Sequence, residues 1–289
     1  MRKILLSIYK RVVKIFSGYG IGEFYPVRVV KEFILSHLKL TFAEVDGHKM
    51  FLDSKDSLCL SINGIYEAFE TELVKKEIKK GDIVLDIGAN IGYYTLIFAK
   101  LVSEEGKVYA FEPDPDNFAL LKKNVEINGY KNVVLVQKAV SNKTGNLRLY
   151  LSKDNLAGHR IYNSHDERQF VEIEAVRLDD FFKNYNGKID FIKMDIEGSE
   201  GGAIQGMFNL LEKNNVKIIT EFWPLGLKRF GMDPGEYLKL LIKIGFKLYE
   251  VNELEKKIKP VNTSTLLETF TPEKESHTNL LCIRDKKER

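Results

Sequence analysis

Several features that would fix a structure from outside its core are scarce or missing in this chain. It has two cysteines, Cys59 and Cys282, far apart and without a CxxC pair. That excludes a disulfide framework and leads us to expect reduced, partly buried thiols in a cytoplasmic protein. No apolar run reaches about 18 residues, so no spanning helix is expected. The chain begins with basic residues, but the apolar run Ile4 to Tyr9 is short and has no small-residue cleavage site, so no secretory leader is expected. No metal-ligand spacing occurs, and a metal-independent reaction is expected. Internal repeats and low-complexity tracts are missing too.

Net charge is also low, at +3 over 289 residues. It is uneven: residues 1–40 carry eight basic and two acidic side chains, which leaves the remainder slightly acidic. A nucleic-acid footprint over the whole protein is therefore not expected. Residues 1–16 have helical periodicity, with Ile4, Leu5, Ile8, Tyr9, Val12, Ile15 and Phe16 on one face and Lys3, Lys10, Arg11 and Lys14 on the other. Two readings stand open: a peripheral membrane helix meeting anionic lipid, or a helix packed on its own domain or on a partner subunit of an oligomer. A second helix is expected over 27–38. A hairpin is expected over 41–53, with Asp46-Gly47 as its turn.

The rest reads as a doubly wound α/β domain. A helix over 65–79 leads to a strand over 83–87. The pattern then runs helix 91–102, strand 107–112, helix 115–128 and strand 132–138, which is a βαβαβ array with a parallel sheet. Strands over 146–151 and 170–177 flank a polar loop, 152–169, holding His159, Arg160 and His165. A short helix over 178–184 precedes a buried strand over 189–195, a helix to about 211 and a strand over 216–222. After a helix over 234–244, the segments 246–251 and 279–284 are candidate closing strands. Residues 252–277 read as polar and irregular.

Carboxylates carry the functional signal. In a parallel sheet the carboxyl ends of the strands share one edge, where ligands bind. Asp86, Glu112, Asp195 and Glu221 all fall at such ends. The turn Asp86-Ile87-Gly88-Ala89-Asn90-Ile91-Gly92 follows the first strand, and Gly88 would allow close approach of a ligand. Glu112 lies 24 residues beyond Gly88, where an acid takes both ribose hydroxyls. A dinucleotide needs a pyrophosphate site, usually with three glycines, and Asp86 would repel its charge. An NAD-dependent oxidoreductase is thus disfavoured. S-adenosylmethionine has no phosphate, carries an ammonium and a sulfonium, and suits acidic surroundings. A nucleic-acid-modifying enzyme, such as an RNA methyltransferase guided by the basic N-terminal segment, lacks an aromatic-basic stripe. A non-catalytic scaffold is the remaining alternative.

These residues resemble the FkbM-type methyltransferases. The resemblance rests on Tyr66-Glu67, the run Val84 to Thr95, Ala110-Phe111-Glu112-Pro113, Asn124, Asn128-Gly129, Lys138-Ala139-Val140-Ser141, Leu178-Asp179-Asp180, Ile192 to Gly198, and Glu221. It covers roughly residues 60–250. It implies a class I methyltransferase fold, Rossmann-like and mainly parallel with an antiparallel closing strand. A domain over 61–289 would bind S-adenosylmethionine, with residues 1–60 forming a helical and hairpin extension. The resemblance also implies methylation of a hydroxyl on a sugar, glycan or small molecule.

Carried over residue by residue, it places Asp86, Gly88, Ala89, Asn90 and Gly92 around the methionine part and Glu112 on the ribose. Pro113, Asn117, Lys138 and Ala139 would lie near the adenine. Asp195 would sit beside the methionine amine or the transferred methyl, and Glu67 and Thr71 would close that side. Tyr93 either faces the sulfonium or is a core aromatic at the helix start. The candidate bases are Asp195, Glu197 and Glu221, with His159 an outside choice; each has the alternative of a purely structural role. At spacing two along a strand, Lys193 shares a face with Asp195 and is expected to pair with a site carboxylate.

Overall fold

A computed structural model of the chain describes residues 41–153, 155–163 and 167–284. The two helices expected over 1–16 and 27–38, with the membrane reading of the first, lie outside the described residues. No helix among the described residues is long and apolar enough to cross a membrane. The chain divides into two compact units, with the boundary between Tyr66 and Glu67.

In the first unit, strands β1 (Phe42–Val45) and β2 (His48–Phe51) form the expected hairpin. Asp46 and Gly47 both take positive φ, at 49° and 79°, as a tight two-residue turn demands. A single helical turn, α1 (Leu60–Asn63), follows, begun by Cys59 in the left-handed region. Cys59 is exposed, against expectation, whereas Cys282 in the second unit is buried; both are free thiols.

The second unit opens with α2 (Ala68–Glu77). It contains the expected array: β3 (Ile83–Ile87), α3 (Tyr93–Val102), β4 (Lys107–Phe111), α4 (Pro115–Ile127) and β5 (Val133–Val136). Next come β6 (Ala139–Val140), β7 (Gly145–Tyr150), β8 (Phe170–Val176), α5 (Leu178–Phe181) and β9 (Phe191–Met194). Two helices, α6 (Glu200–Gly206) and α7 (Phe208–Lys213), lead to β10 (Lys217–Phe222), α8 (Pro224–Phe230) and α9 (Pro234–Ile244). The unit ends with β11 (Phe246–Asn252), β12 (Lys257–Pro260), α10 (Thr263–Thr269) and β13 (Thr278–Arg284).

The large sheet has the order β12-β11-β13-β10-β9-β3-β4-β5. Strands β5, β4, β3, β9 and β10 run parallel, and β13 inserts antiparallel between β10 and β11. This is the class I methyltransferase arrangement with its reversed closing strand. Helices cover both faces, so the strands are apolar on both sides: Leu85, Ile87, Ile192 and Met194 are buried on one face and Val84, Val108, Phe191 and Ile219 on the other. Helix α9 shows how the sequence specifies its elements. Asp233 accepts from the Glu236 amide at 3.0 Å, Pro234 takes the first position, and Gly245 at φ 102° ends the helix. Tyr237, Leu238, Leu241 and Ile244 form its buried stripe.

Four expectations need correction. The strand expected over 132–138 splits: β5 joins the large sheet, while β6 leaves to join β8 and β7 in a three-stranded sheet. The helix expected after Asp195 breaks at Met207, beside Gly206, where a Cβ would lie 2.0 Å from the Ser141 carbonyl oxygen. Helix α8, begun by Pro224, was not expected; it is short and contains a glycine. Residues 252–277 are not irregular, since they hold β12, α10 and a 3-10 turn at Pro272–Lys274.

The switch in winding direction falls between β3 and β9, and there the two strand-end turns touch. Gly88 has φ 83°, and a Cβ on it would lie 1.9 Å from the Asp195 carbonyl oxygen. The space beside Gly88 is therefore filled by protein backbone rather than left for a ligand. Gly92 serves helix–helix packing, since its Cβ would meet Leu121 Cδ1 of α4 at 2.7 Å. Because Gly88→Ala combines an unfavourable φ with a backbone clash, it is expected to lower stability by about 3 kcal/mol or more. Urea unfolding checks this; a midpoint equal to that of the unaltered protein would contradict the packing.

Candidate active site

The turn after β3 is built from backbone amides and one acid. The Gly88 and Ala89 amides both donate to the Phe111 carbonyl at 3.0 Å, which ties the turn to the end of β4. Asn90, at φ 50°, donates its amide to Glu112 Oε2 at 2.7 Å. The Asp114 amide donates to the other oxygen, Oε1, at 2.9 Å. Glu112 is thus fixed by one amide on each oxygen and keeps lone pairs for further donors, as a diol requires. Burial pushes its pKa up to about 8, against the pull of those two amides. Asn124 Nδ2 holds the far side of the turn through the Ile91 carbonyl at 2.8 Å. Asp86 is buried and accepts from the Thr95 hydroxyl at 2.5 Å, and burial raises its pKa to about 6.

Pro113 is half-buried beside Glu112, and Asn117 Nδ2 donates to the Leu156 carbonyl at 3.1 Å. The turn, Glu112 and Asn117 therefore come together. Lys138 and Ala139 serve the small sheet: Lys138 Nζ pairs with Glu174 at 2.5 Å, and Ala139 packs in the small core with Leu149, Ile173 and Ala175.

A second group surrounds Lys193. This lysine is only 1 % exposed, with Nζ 3.1 Å from Glu70 Oε1 and 3.6 Å from Asp195 Oδ2. The expected pairing with a site carboxylate is present, and it includes Glu70, which sequence reasoning missed. The signal for Glu70 is its place in the first turn of α2, the helix that Glu67 precedes and that carries Thr71. That helix is anchored by Glu253, whose carboxylate accepts from the Phe69 amide at 2.8 Å and the Glu70 amide at 3.1 Å. Glu67 accepts from the Tyr94 hydroxyl at 3.0 Å and from Asn279 Nδ2 at 3.1 Å. Burial, then the nearby Glu70, pushes the Glu67 pKa up to about 8. Tyr93 is 2 % exposed, and its hydroxyl lies 3.0 Å from Thr71 Oγ1, so it packs as a core aromatic here. It is Tyr94 whose ring lies beneath the Lys193 ammonium, at 5.2 Å.

The turn after β9 carries the third group. Glu197 and Gly198 take φ 57° and 97° in succession. Glu200, another residue missed from the sequence, holds the turn by accepting from the Ile196 amide at 3.0 Å and the Gly198 amide at 3.3 Å. The Tyr162 hydroxyl donates to the Glu197 carbonyl at 2.8 Å. Burial, then Asp195, raises the Glu197 pKa to about 8, and burial raises that of Glu200 to about 7. Glu221, at the end of β10, has Oε1 4.0 Å from His277 Nε2, and burial, then Asp195, holds its pKa well above the carboxylate range. The three candidate bases lie near enough for Asp195 and Glu197 to raise the proton affinity of Glu221. His159 does not join them: its Nδ1 accepts from the Ser152 amide at 2.9 Å, and its Nε2 lies 3.8 Å from Asp114. It braces the loop on the Glu112 side, and burial lowers its pKa.

This concentration of buried acids has a consequence for stability. Unfolded carboxylates release their protons near pH 4. Folded Asp86, Glu200, Glu67, Glu112 and Glu197 hold theirs to about 6, 7, 8, 8 and 8. The folded state therefore binds more protons between those limits, and stability falls as pH rises through that window. The ligand-free protein is expected to lose roughly 5 °C or more in Tm between about pH 5.5 and about pH 8.5. A Tm that is flat or rises over that range, measured by calorimetry, would contradict the acid cluster.

Comparison with known proteins gives this site a family. The profile of the methyltransferase FkbM domain matches residues 86–248, from the acid of the β3 turn into β11. Hexuronic acid methyltransferase AglP of Haloferax volcanii is 27% identical over 186 residues, covering 63% of this chain and 72% of that protein. Methyltransferase 1 of Beauveria bassiana is 26% identical over 169 residues, covering 48% of this chain and 68% of that protein. Among solved structures, methyltransferase FkbM of Methylobacillus flagellatus aligns at 15% identity and a TM-score of 0.42, over 89% of this chain and 59% of that one. The matched span holds Asp86, Glu112, Asp195, Glu197 and Glu221, and the chain belongs to the FkbM family of S-adenosylmethionine-dependent methyltransferases.

Proposed function

We propose that this protein methylates a hydroxyl group on a sugar, glycan or small molecule. The observation that carries the reading is the mutual electrostatic influence of Asp195, Glu197 and Glu221 at the ends of the neighbouring strands β9 and β10, which β3 separates from Glu112 at the end of β4. The name of the relative AglP, a hexuronic acid methyltransferase, supports a sugar as acceptor.

The residues fit the methyl donor on two counts. Glu112 is held by one amide on each oxygen and presents its remaining lone pairs to a ribose diol. The surroundings are acidic, as a sulfonium and an ammonium require, with Asp86, Asp195, Glu67 and Glu70 set against the single buried cation Lys193 among these groups. Bound here, the sulfonium supplies an already activated methyl group.

The protein's own part is to place the acceptor oxygen, take its proton and exclude water. Asp195 is suited to the proton. Its side chain is 31% exposed, open towards the crevice, and is held from behind by Lys193 at 3.6 Å. Glu197, its pKa raised to about 8, carries its proton near neutral pH and so donates a hydrogen bond, which suits it to orienting another oxygen of the acceptor; Glu221, whose proton affinity is raised by burial and by Asp195, stands beside it.

Two measurements test the reading. Glu112→Ala is expected to weaken S-adenosylmethionine binding at least about 100-fold by calorimetry; affinity near that of the unaltered protein would remove Glu112 from the ribose. Asp195→Asn is expected to lower kcat at least about 100-fold, whereas Glu221→Gln, which keeps the shape of the side chain, acts mainly on the acceptor KM. The reverse pattern, with kcat lost in Glu221→Gln and an activity that climbs with pH above 8, would move the base to Glu221 or Glu197.

A further inference from the structure

Arg160 is a charged residue that the chemistry above leaves without a task. It lies in the loop between β7 and β8, and its backbone is pinned to the end of β7. The Tyr150 amide donates to the Arg160 carbonyl at 2.7 Å, and the Arg160 amide donates to the Tyr150 carbonyl at 3.1 Å. Only 11% of its side chain is exposed. The guanidinium lies over the Trp223 ring, 4.6 Å from its centroid. Trp223 is itself held flat, because Gly226 behind it has no side chain; a Cβ there would lie 2.2 Å from Trp223 Cε3. Trp223 follows Glu221 by two residues, so this platform stands at the same strand end as the acids.

Arg160 is therefore rigid and charged, but its hydrogen-bonding capacity is not met. Its Nε is fully buried and has no hydrogen-bond partner among the described residues. The carboxylate beside it, Glu197 Oε2, stands 3.9 Å away, beyond hydrogen-bonding distance. A guanidinium keeps its charge at any working pH, and burying one without acceptors is costly. Such a group is expected where a ligand brings the missing acceptor. Its planar fork matches a carboxylate or a phosphate with two parallel bonds. The neighbouring Asp195 carboxylate discriminates between these, since it would oppose a dianionic phosphate more strongly than a single negative charge.

We infer that Arg160, backed by Trp223, is the acceptor-recognition residue and that it takes a carboxylate carried by the acceptor molecule. The inference rests on the placing of the acceptor at the ends of β9 and β10. It narrows the substrate class to acidic acceptors such as sugar acids, with the hydroxyl presented to Asp195 and the carboxylate to Arg160.

Binding to the whole protein saturated with S-adenosylhomocysteine tests this without requiring transfer. The probes are nitrophenyl glucuronide, the uncharged nitrophenyl glucoside and a sugar phosphate, titrated by calorimetry. The unaltered protein is expected to prefer the glucuronide over the glucoside by about 30-fold, the scale of a charge-assisted pair. Arg160→Gln should abolish that preference, and Arg160→Lys, which keeps charge but not the fork, should keep a small part of it. The affinity for S-adenosylhomocysteine should stay within about twofold in both variants, which also shows that they fold. Equal binding of the two glycosides, no binding of either, or tighter binding of the sugar phosphate would overturn the assignment. So would a collapse of S-adenosylhomocysteine affinity in both Arg160 variants, which would place Arg160 in the cofactor site. Methyl transfer to the bound glucuronide is measured separately: an Arg160-dependent preference without any methylation upholds the carboxylate site and refutes hydroxyl transfer.

Discussion

The site depends on one backbone contact, the meeting of Gly88 with the carbonyl of Asp195. It joins the turn after β3 to the turn after β9 at the point where the winding of the sheet reverses. Any side chain at position 88 would wedge the two turns apart. Much of the site's chemistry hangs from these two turns. The first carries the amides that fix Glu112, and the second carries Asp195, Glu197 and the capping acid Glu200. The distance between the cofactor half and the acceptor half of the site is thus set by main chain, which is the stiffest part of a protein, rather than by flexible side chains.

Charge is the second constraint, and it follows from the first. Bringing four strand ends together brings their acids together, in a place with little water. The protein balances this only partly. Lys193 answers Glu70 and Asp195 at 3.1 and 3.6 Å, and backbone amides answer Glu112 and Glu200. Much of the remaining negative charge is suppressed by protonation, as the raised pKa values of Glu67, Glu112 and Glu197 express. A bound cation would reverse that balance, so the cluster stores, in proton affinity, a preference for a positively charged ligand.

The sequence made the cofactor half legible and left the acceptor half largely hidden. Asp86, Gly88 and Glu112 sit at the ends of apolar runs whose length and spacing mark them as parallel strands, so their convergence follows from topology alone. Lys193 could be placed beside Asp195 because strand alternation fixes which side chains share a face. Glu70, Glu200, Arg160 and Trp223 had no such rule. Glu70 is recruited by a helix whose docking is decided by Glu253, some 180 residues away in the chain. Arg160 lies in a polar loop with no periodicity, and its role becomes visible only when β7 pins its backbone. The misreadings have the same origin. Gly88 is a site of close approach, but what approaches it, the Asp195 carbonyl rather than a ligand, is tertiary information.

The loop between β7 and β8 then gains a physical role. On the cofactor side it is fastened by Asn117 to the Leu156 carbonyl and by His159 set against Asp114. On the acceptor side it is fastened by Tyr162 to the Glu197 carbonyl and by Arg160 over Trp223. One short segment therefore touches the helix that follows Glu112 and the turn that follows Asp195. A segment so fastened cannot shift at one end without straining the other, because its few residues between Leu156 and Tyr162 have little slack to absorb the change. Ordering of the loop by a ligand at the Glu112 end would thus present Arg160 and Tyr162 at the acceptor end already in place. The entropic cost of assembling the acceptor site would be met before the acceptor arrives. On this argument the fold ties the two halves together twice, once below through Gly88 and Asp195 and once above through this loop.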